Sequence, residues 1–175
     1  GEVLTDEGRF CDTRFSKSCG GVTECFEYCW EPIHHRYLVA LRDSRTPDTP
    51  VPDLTNEAEA DRWIRSAPEA FCHTTDEGIL SQVLNNYDLE TPDFYRWTVE
   101  YTQDELADLI RRKSGIDFGA ILNLQAVERG RSGRIVRLRI VGSRRTYIIG
   151  KELEIRRTLS ETHLYSSAFV VDALD

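Results

Sequence analysis

No methionine occurs anywhere in the 175 residues. That absence predicts an excised piece of a longer chain, with Glu2 onward reading as mid-chain sequence and any targeting signal lying elsewhere. Long apolar runs are missing too. None approaches the roughly 20 residues needed to cross a bilayer, so no transmembrane segment is expected. The opening GEVLTDEGRF lacks the basic start and apolar stretch of a signal peptide. There is no phosphate-cradling glycine loop, no His-Glu metalloprotease motif, no internal repeat and no low-complexity tract. What is present, 40% hydrophobic and 30% charged residues, is the composition of a globular domain. The length fits one domain, or one domain carrying a large insertion.

The net charge of -8 is unevenly spread. From Arg129 to Arg157, nine Arg and one Lys face only Glu152 and Glu154, so this block is basic and the remainder strongly acidic. A basic block can mark a polyanion partner, or a hairpin with a solvated Arg face. Nucleic-acid binding would call for aromatic rings interleaved with the Arg as stacking platforms. Tyr147 is the one aromatic there, so no nucleic-acid partner is expected.

Five cysteines cannot all pair within one chain. Three of them lie in the sixteen residues FSKSCGGVTECFEYCW, around a Gly-Gly pair, and Cys72 stands apart beside His73. Cys19 and Cys25 are candidate zinc ligands, with Cys11, Cys29, Glu24 and His34 as local choices to complete a site. The spacing matches a structural zinc site only in part. Buried structural thiols, or one disulfide with leftovers, remain open. A nucleophilic Cys19 paired with His34 or His35 is a further reading. The domain is expected to fold without metal, on the core of its own strands and helices, so no cofactor is required.

The pattern predicts an α+β fold: a mixed or antiparallel sheet with a largely helical insertion. EVLT and RFCDTRF flank Asp6-Glu7-Gly8 as a hairpin. RYLVALRD reads as a short strand, and SRTPDTPVPD as an extended linker. Asn56 and Glu59 stand at capping-box spacing before a helix. SAPEAF reads as a helical turn, and ILSQVLNN as a helix. In FYRWTVEYT, Tyr95, Trp97, Val99 and Tyr101 alternate as in a strand. TQDELADLIRRKSG carries a Thr102–Glu105 capping box, a Leu106/Leu109/Ile110 stripe and a Gly115 stop. ILNLQAVE, RIVRLRIVG and RTYIIG are strands; in the second, Val136, Leu138 and Ile140 face inward. KELEIRRTL reads as a short helix and YSSAFVVD as a final strand.

The first segment, from the Gly1–Gly8 hairpin through Ser16–Thr23, Trp30 and Tyr37–Asp43, resembles the SpoIID/LytB family (sporulation stage II protein D and amidase-enhancer proteins). So does the last, through Ser132–Val136, Gly150, Arg156, Arg157, Ser167 and Phe169. Phe15 stands where that family often has Tyr. The likeness covers roughly the first 44 and last 45 residues, so residues 1–175 are expected to form a partial SpoIID/LytB-like domain whose two matching segments pair into one antiparallel or mixed sheet, interrupted by an insertion at about 46–120.

The resemblance implies an extracytoplasmic protein of the bacterial cell envelope that acts on peptidoglycan glycan strands, as a lytic-transglycosylase-like domain. A non-catalytic amidase-enhancer or wall-binding module, with an amidase as partner, is the alternative. The family's catalytic Glu lies upstream of the hairpin, so no Glu here is assigned that role, and this stretch alone is expected not to cut glycan. The Gly-Gly loop is expected to border the glycan cleft, with Ser18, Gly20, Gly21 and Thr23 as substrate-binding residues. Gly20 and Gly21 would permit close approach of a sugar. Ser18 and Thr23 would bond its hydroxyls. Muramic acid stripped of its stem peptide bears a free lactyl carboxylate, which the Arg-rich block would attract.

Overall fold

A computed structural model describes residues 1–46, 49–84 and 94–174. Among these residues there are five helices and two small antiparallel sheets, the α+β class expected. The elements run β1 (Thr5–Asp6), β2 (Arg9–Phe10), α1 (Phe26–Cys29), α2 (Glu57–Ser66), α3 (Glu77–Val83), α4 (Gln103–Ser114), β3 (Ile121–Arg129), β4 (Ile135–Gly142), β5 (Thr146–Ile149) and α5 (Glu152–Thr158). No helix among the described residues is long and apolar enough to cross a membrane.

The core is built on the β3-β4-β5 meander. Leu138 sits opposite Ala126 and Ile149, and Ile140 opposite Leu124 and Tyr147. Leu138 and Ile140 are fully buried and Val136 nearly so, while Arg137 points to solvent. Period-two alternation has thus produced one dry face. Ile110 of α4, Ile155 of α5, and Phe118, Leu159, Leu164 and Phe169 cover that face. The stretch read as an insertion therefore supplies part of this core through Ile110 and Phe118.

Helix α4 follows from its termini. The Thr102 hydroxyl accepts the Glu105 N–H, and the Glu105 carboxylate accepts the Thr102 N–H at 2.8 Å. Gly115 closes the helix in the left-handed conformation, φ 72°. We predict that Thr102→Ala lowers stability by about 1 kcal/mol, seen as a lower urea midpoint at unchanged slope. The capping bonds hold the Glu105 carboxyl below its ordinary pKa. Their contribution is complete above the unfolded-state pKa and is lost as pH falls through the lower folded-state value.

Several expectations need correction. The first and last segments do not share one sheet: β1 pairs only with β2, and β3–β5 form a separate sheet. β1 and β2 are two residues each, too short to extend, and RYLVALRD contributes only an isolated bridge, Val22 to Arg42. The two segments are joined by side chains instead. Arg134 donates to the Cys19 and Val22 carbonyls, and Ser132 donates through N–H and hydroxyl to Glu24. FYRWTVEYT and YSSAFVVD form no strand, and SAPEAF forms no helical turn of its own, its Ser66 ending α2. Tyr95 turns away to stack on His73 and Trp97 packs on Tyr165 and Phe169, while the final segment makes one backbone bond to the sheet, Ile135 N–H to the Ser167 carbonyl at 2.9 Å, and no ladder. ILSQVLNN is helical through Val83, and its last two residues lie outside the described residues, as do residues 47 and 48 of the linker.

Candidate functional site

The Gly-Gly loop runs antiparallel to residues 41–43. Thr23 N–H donates to the Leu41 carbonyl and Asp43 N–H to the Gly21 carbonyl, each at 3.0 Å. This short pairing sets Cys19 across from Asp43. The turn after α2 then brings in Cys72, whose N–H donates to Asp43 Oδ2 at 2.9 Å. Three groups meet: the Cys19 and Cys72 sulfurs are 3.5 Å apart, and Cys19 Sγ is 3.4 Å from Asp43 Oδ2. All three residues are half-buried. Among the described residues, this is the group of thiols and carboxylates placed to share an ion.

Its electrostatics are unequal. Hydrogen bonding with Cys19 draws the Cys72 thiol down to about 6, aided by the Ser18 hydroxyl and opposed by burial and Asp43. The same contact, then burial, pushes the Cys19 thiol far up. The contact thus makes the first proton of the pair easier to lose and the second harder. Two guanidiniums pack against the Gly-Gly loop. Arg42 donates to the Gly21 and Glu69 carbonyls and lies over the Trp63 ring, 4.6 Å from its centroid. Arg96 donates to the Ile64, Trp63 and Tyr95 carbonyls. Arg96 is also within electrostatic reach of both sulfurs.

The residues singled out from sequence divide. Gly20 and Gly21 both have positive φ, 73° and 99°. A Cβ on Gly21 would stand 3.0 Å from Arg42 Nη1 and Tyr95 Oη and 3.1 Å from Trp63. The close approach that needs this glycine is made by the protein's own side chains. Gly20 is less crowded, with Arg96 3.9 Å from such a Cβ. The Thr23 hydroxyl is occupied by backbone: it donates to the Val39 carbonyl and accepts from Leu41 N–H, both at 2.8 Å. Ser18 is half-buried beside Cys72.

Cys19 belongs to the thiol-carboxylate group, but Cys25 does not. Cys25 is buried at the start of α1, where burial raises its thiol pKa. Burial also pushes the Cys29 thiol up to about 12. His34 contacts Glu27 at 3.1 Å and His35 packs edge-on against Phe26, so neither joins Cys19. Asp43 and Cys72 had not been singled out as ligands. Cys72 is 53 residues from Cys19, and only its isolation beside His73 marked it.

The Arg block is largely committed to the fold. Arg129, Arg144 and Arg156 pair with Glu57, Asp117 and Glu152, and Arg134 holds the loop. A groove of about 1240 Å³ begins at Tyr95 and Arg96, the residues packed behind the Gly-Gly loop. It continues past Trp97, Tyr101 and Asn123 to the final segment.

An α+β domain with a half-buried Cys-Cys-Asp group beside a long groove is thus defined. The chain belongs to the family described as a domain of unknown function, DUF8618, whose model matches residues 24–175. No curated protein and no solved structure matches it.

Proposed function

We propose that this chain is the glycan-binding part of a peptidoglycan-directed domain of the SpoIID/LytB type, working outside the cytoplasm. The observation that carries this reading is the groove. At about 1240 Å³ it exceeds the few hundred to 1,000 Å³ typical of small-molecule sites. It combines the aromatic side chains Tyr95, Trp97 and Tyr101 with Arg65, Arg96, Asn123 and Glu100. The partly exposed ring of Tyr101 suits the apolar face of a sugar ring, and the exposed Asn123 amide suits its hydroxyls. The Gly-Gly loop supports the groove from behind, by fixing Tyr95 and Arg96. That role replaces direct sugar contact for Gly21 and Thr23. No residue of the chain is assigned a bond-breaking role.

The test is co-sedimentation with purified peptidoglycan, either intact or stripped of stem peptides by an amidase. The chain should sediment with the stripped glycan, and less so as salt rises. Asn123 is exposed on β3, so Asn123→Trp should fill the groove without disturbing the core. Binding should weaken by about tenfold or more, equivalent to roughly 1.4 kcal/mol. Retention on neither glycan, with the circular dichroism of a folded protein, would reject the proposal.

A further inference from the structure

We propose that Cys19, Cys72 and Asp43 form a zinc site with one coordination position left open. The inference rests on this side-chain group alone and stands apart from the glycan reading.

The geometry is that of a chelate. Tetrahedral zinc with Zn–S near 2.3 Å and Zn–O near 2.0 Å places two sulfur ligands about 3.8 Å apart, and sulfur and oxygen about 3.5 Å apart. Here the sulfurs are 3.5 Å apart and Cys19 Sγ lies 3.4 Å from Asp43 Oδ2. On these two edges an ion requires shifts of a few tenths of an ångström, and the third edge, Cys72 Sγ to the Asp43 carboxylate, is within 4.8 Å. A disulfide would require the sulfurs to close to about 2.05 Å.

The ligands are held from outside the coordination sphere, as metal ligands usually are. Asp43 is fixed by its own N–H to the Gly21 carbonyl and by the Cys72 N–H to Oδ2. Cys19 is fixed through its carbonyl, which accepts from Arg134. The charge also fits. Two thiolates and one carboxylate exceed the charge of a zinc ion by one negative unit. Arg96 lies within electrostatic reach of both sulfurs, and neither it nor Arg42, which bonds the neighbouring Gly21 carbonyl, has a carboxylate partner among the described residues. Soft sulfur with one hard oxygen favours zinc over magnesium or calcium on one side and over copper(I) on the other. His73 is turned aside by stacking on Tyr95, ring centroids 4.1 Å apart, and does not belong to the group. Three protein ligands leave the fourth position to water or to a ligand oxygen, the arrangement of zinc sites that do chemistry.

The experiment is elemental analysis of the chain purified with a reductant and zinc sulfate, together with cobalt(II) substitution. We expect one zinc per chain, retained in Cys25→Ser and lost in Cys19→Ser and Cys72→Ser. Cobalt should give thiolate-to-metal charge-transfer absorption in the wild type. Asp43→Asn should keep that absorption, alter the ligand-field bands and weaken affinity by at least about tenfold. If the cysteine variants do not fold, the cobalt spectra of wild type, Asp43→Asn and Cys25→Ser still decide. A metal-free wild type, a Cys19–Cys72 disulfide in the peptide map, or zinc that needs Cys25 but not Cys72 would each overturn the assignment.

Discussion

Replacing Arg129 with methionine is expected to lower the free energy of unfolding by about 2–6 kcal/mol, from two buried carbonyls left unpaired at about 1–3 kcal/mol each. Arg129 ends β3 and is 4% exposed. Its guanidinium grips both oxygens of Glu57 at 2.6 and 2.7 Å and donates to the Gly133 and Phe169 carbonyls at 2.7 and 3.0 Å. One side chain thus ties the start of α2, the β3-β4 turn and the final segment. Glu57 is 59% exposed and rehydrates when its partner is removed. The cost therefore comes from the two buried carbonyls, which lose their donor. Arg129→Lys should recover little, because an ammonium cannot reproduce the planar fork. Urea denaturation of the three proteins checks this. A loss below about 0.5 kcal/mol, the scatter of ordinary surface changes, would show that the fork does not hold these elements together.

The second large effect is expected at Ile110. Ile110→Ala should cost about 2–5 kcal/mol, the range for large-to-small changes in a packed core. Ile110 is fully buried and shares one cluster with Leu138, Ile140 and Ile155. The test bears on architecture as well as stability. An appended insertion would unfold locally and leave the meander intact. A shared core predicts a single cooperative transition, with the β-sheet and helix signals falling together at a lower midpoint.

The elements legible in sequence were those whose signals are local. Asn56 accepts from the Ala58 and Glu59 N–H groups, and Thr102 and Glu105 close their box; each device sits within four residues of the helix it starts. The turn at Glu7-Gly8 was legible for the same reason, since both residues take positive φ. The meander was legible because hairpins β3-β4 and β4-β5 join neighbours in sequence. Residues 95–101 show the opposite case. Their alternation is real, but a strand also needs an edge to pair with, and no local pattern encodes one. Tyr95 bonds the Pro68 carbonyl, and Tyr101 bonds the Leu159 carbonyl at 2.8 Å. These contacts span 27 and 58 residues. The Cys19 group was hidden by the same distance. Cys19 and Cys25 looked like partners because they are close in sequence. Yet α1 carries Cys25 into its own buried niche, while Asp43 and Cys72 arrive from two other parts of the chain.

Trp63 gives the loop a built-in optical gauge. Its indole N–H points to the Gly20 carbonyl at 3.4 Å, and the Arg42 guanidinium lies over its ring. Trp30 is exposed, and Trp97 packs against the core by the β-meander. Of the three tryptophans in the chain, Trp63 is the one in contact with the Gly-Gly loop. Whatever shifts that loop changes the charge above the ring and the dipole beside its nitrogen, and so moves the emission. Occupancy of the site is thereby readable by fluorescence in the unlabelled protein, with Trp63→Phe as the blank.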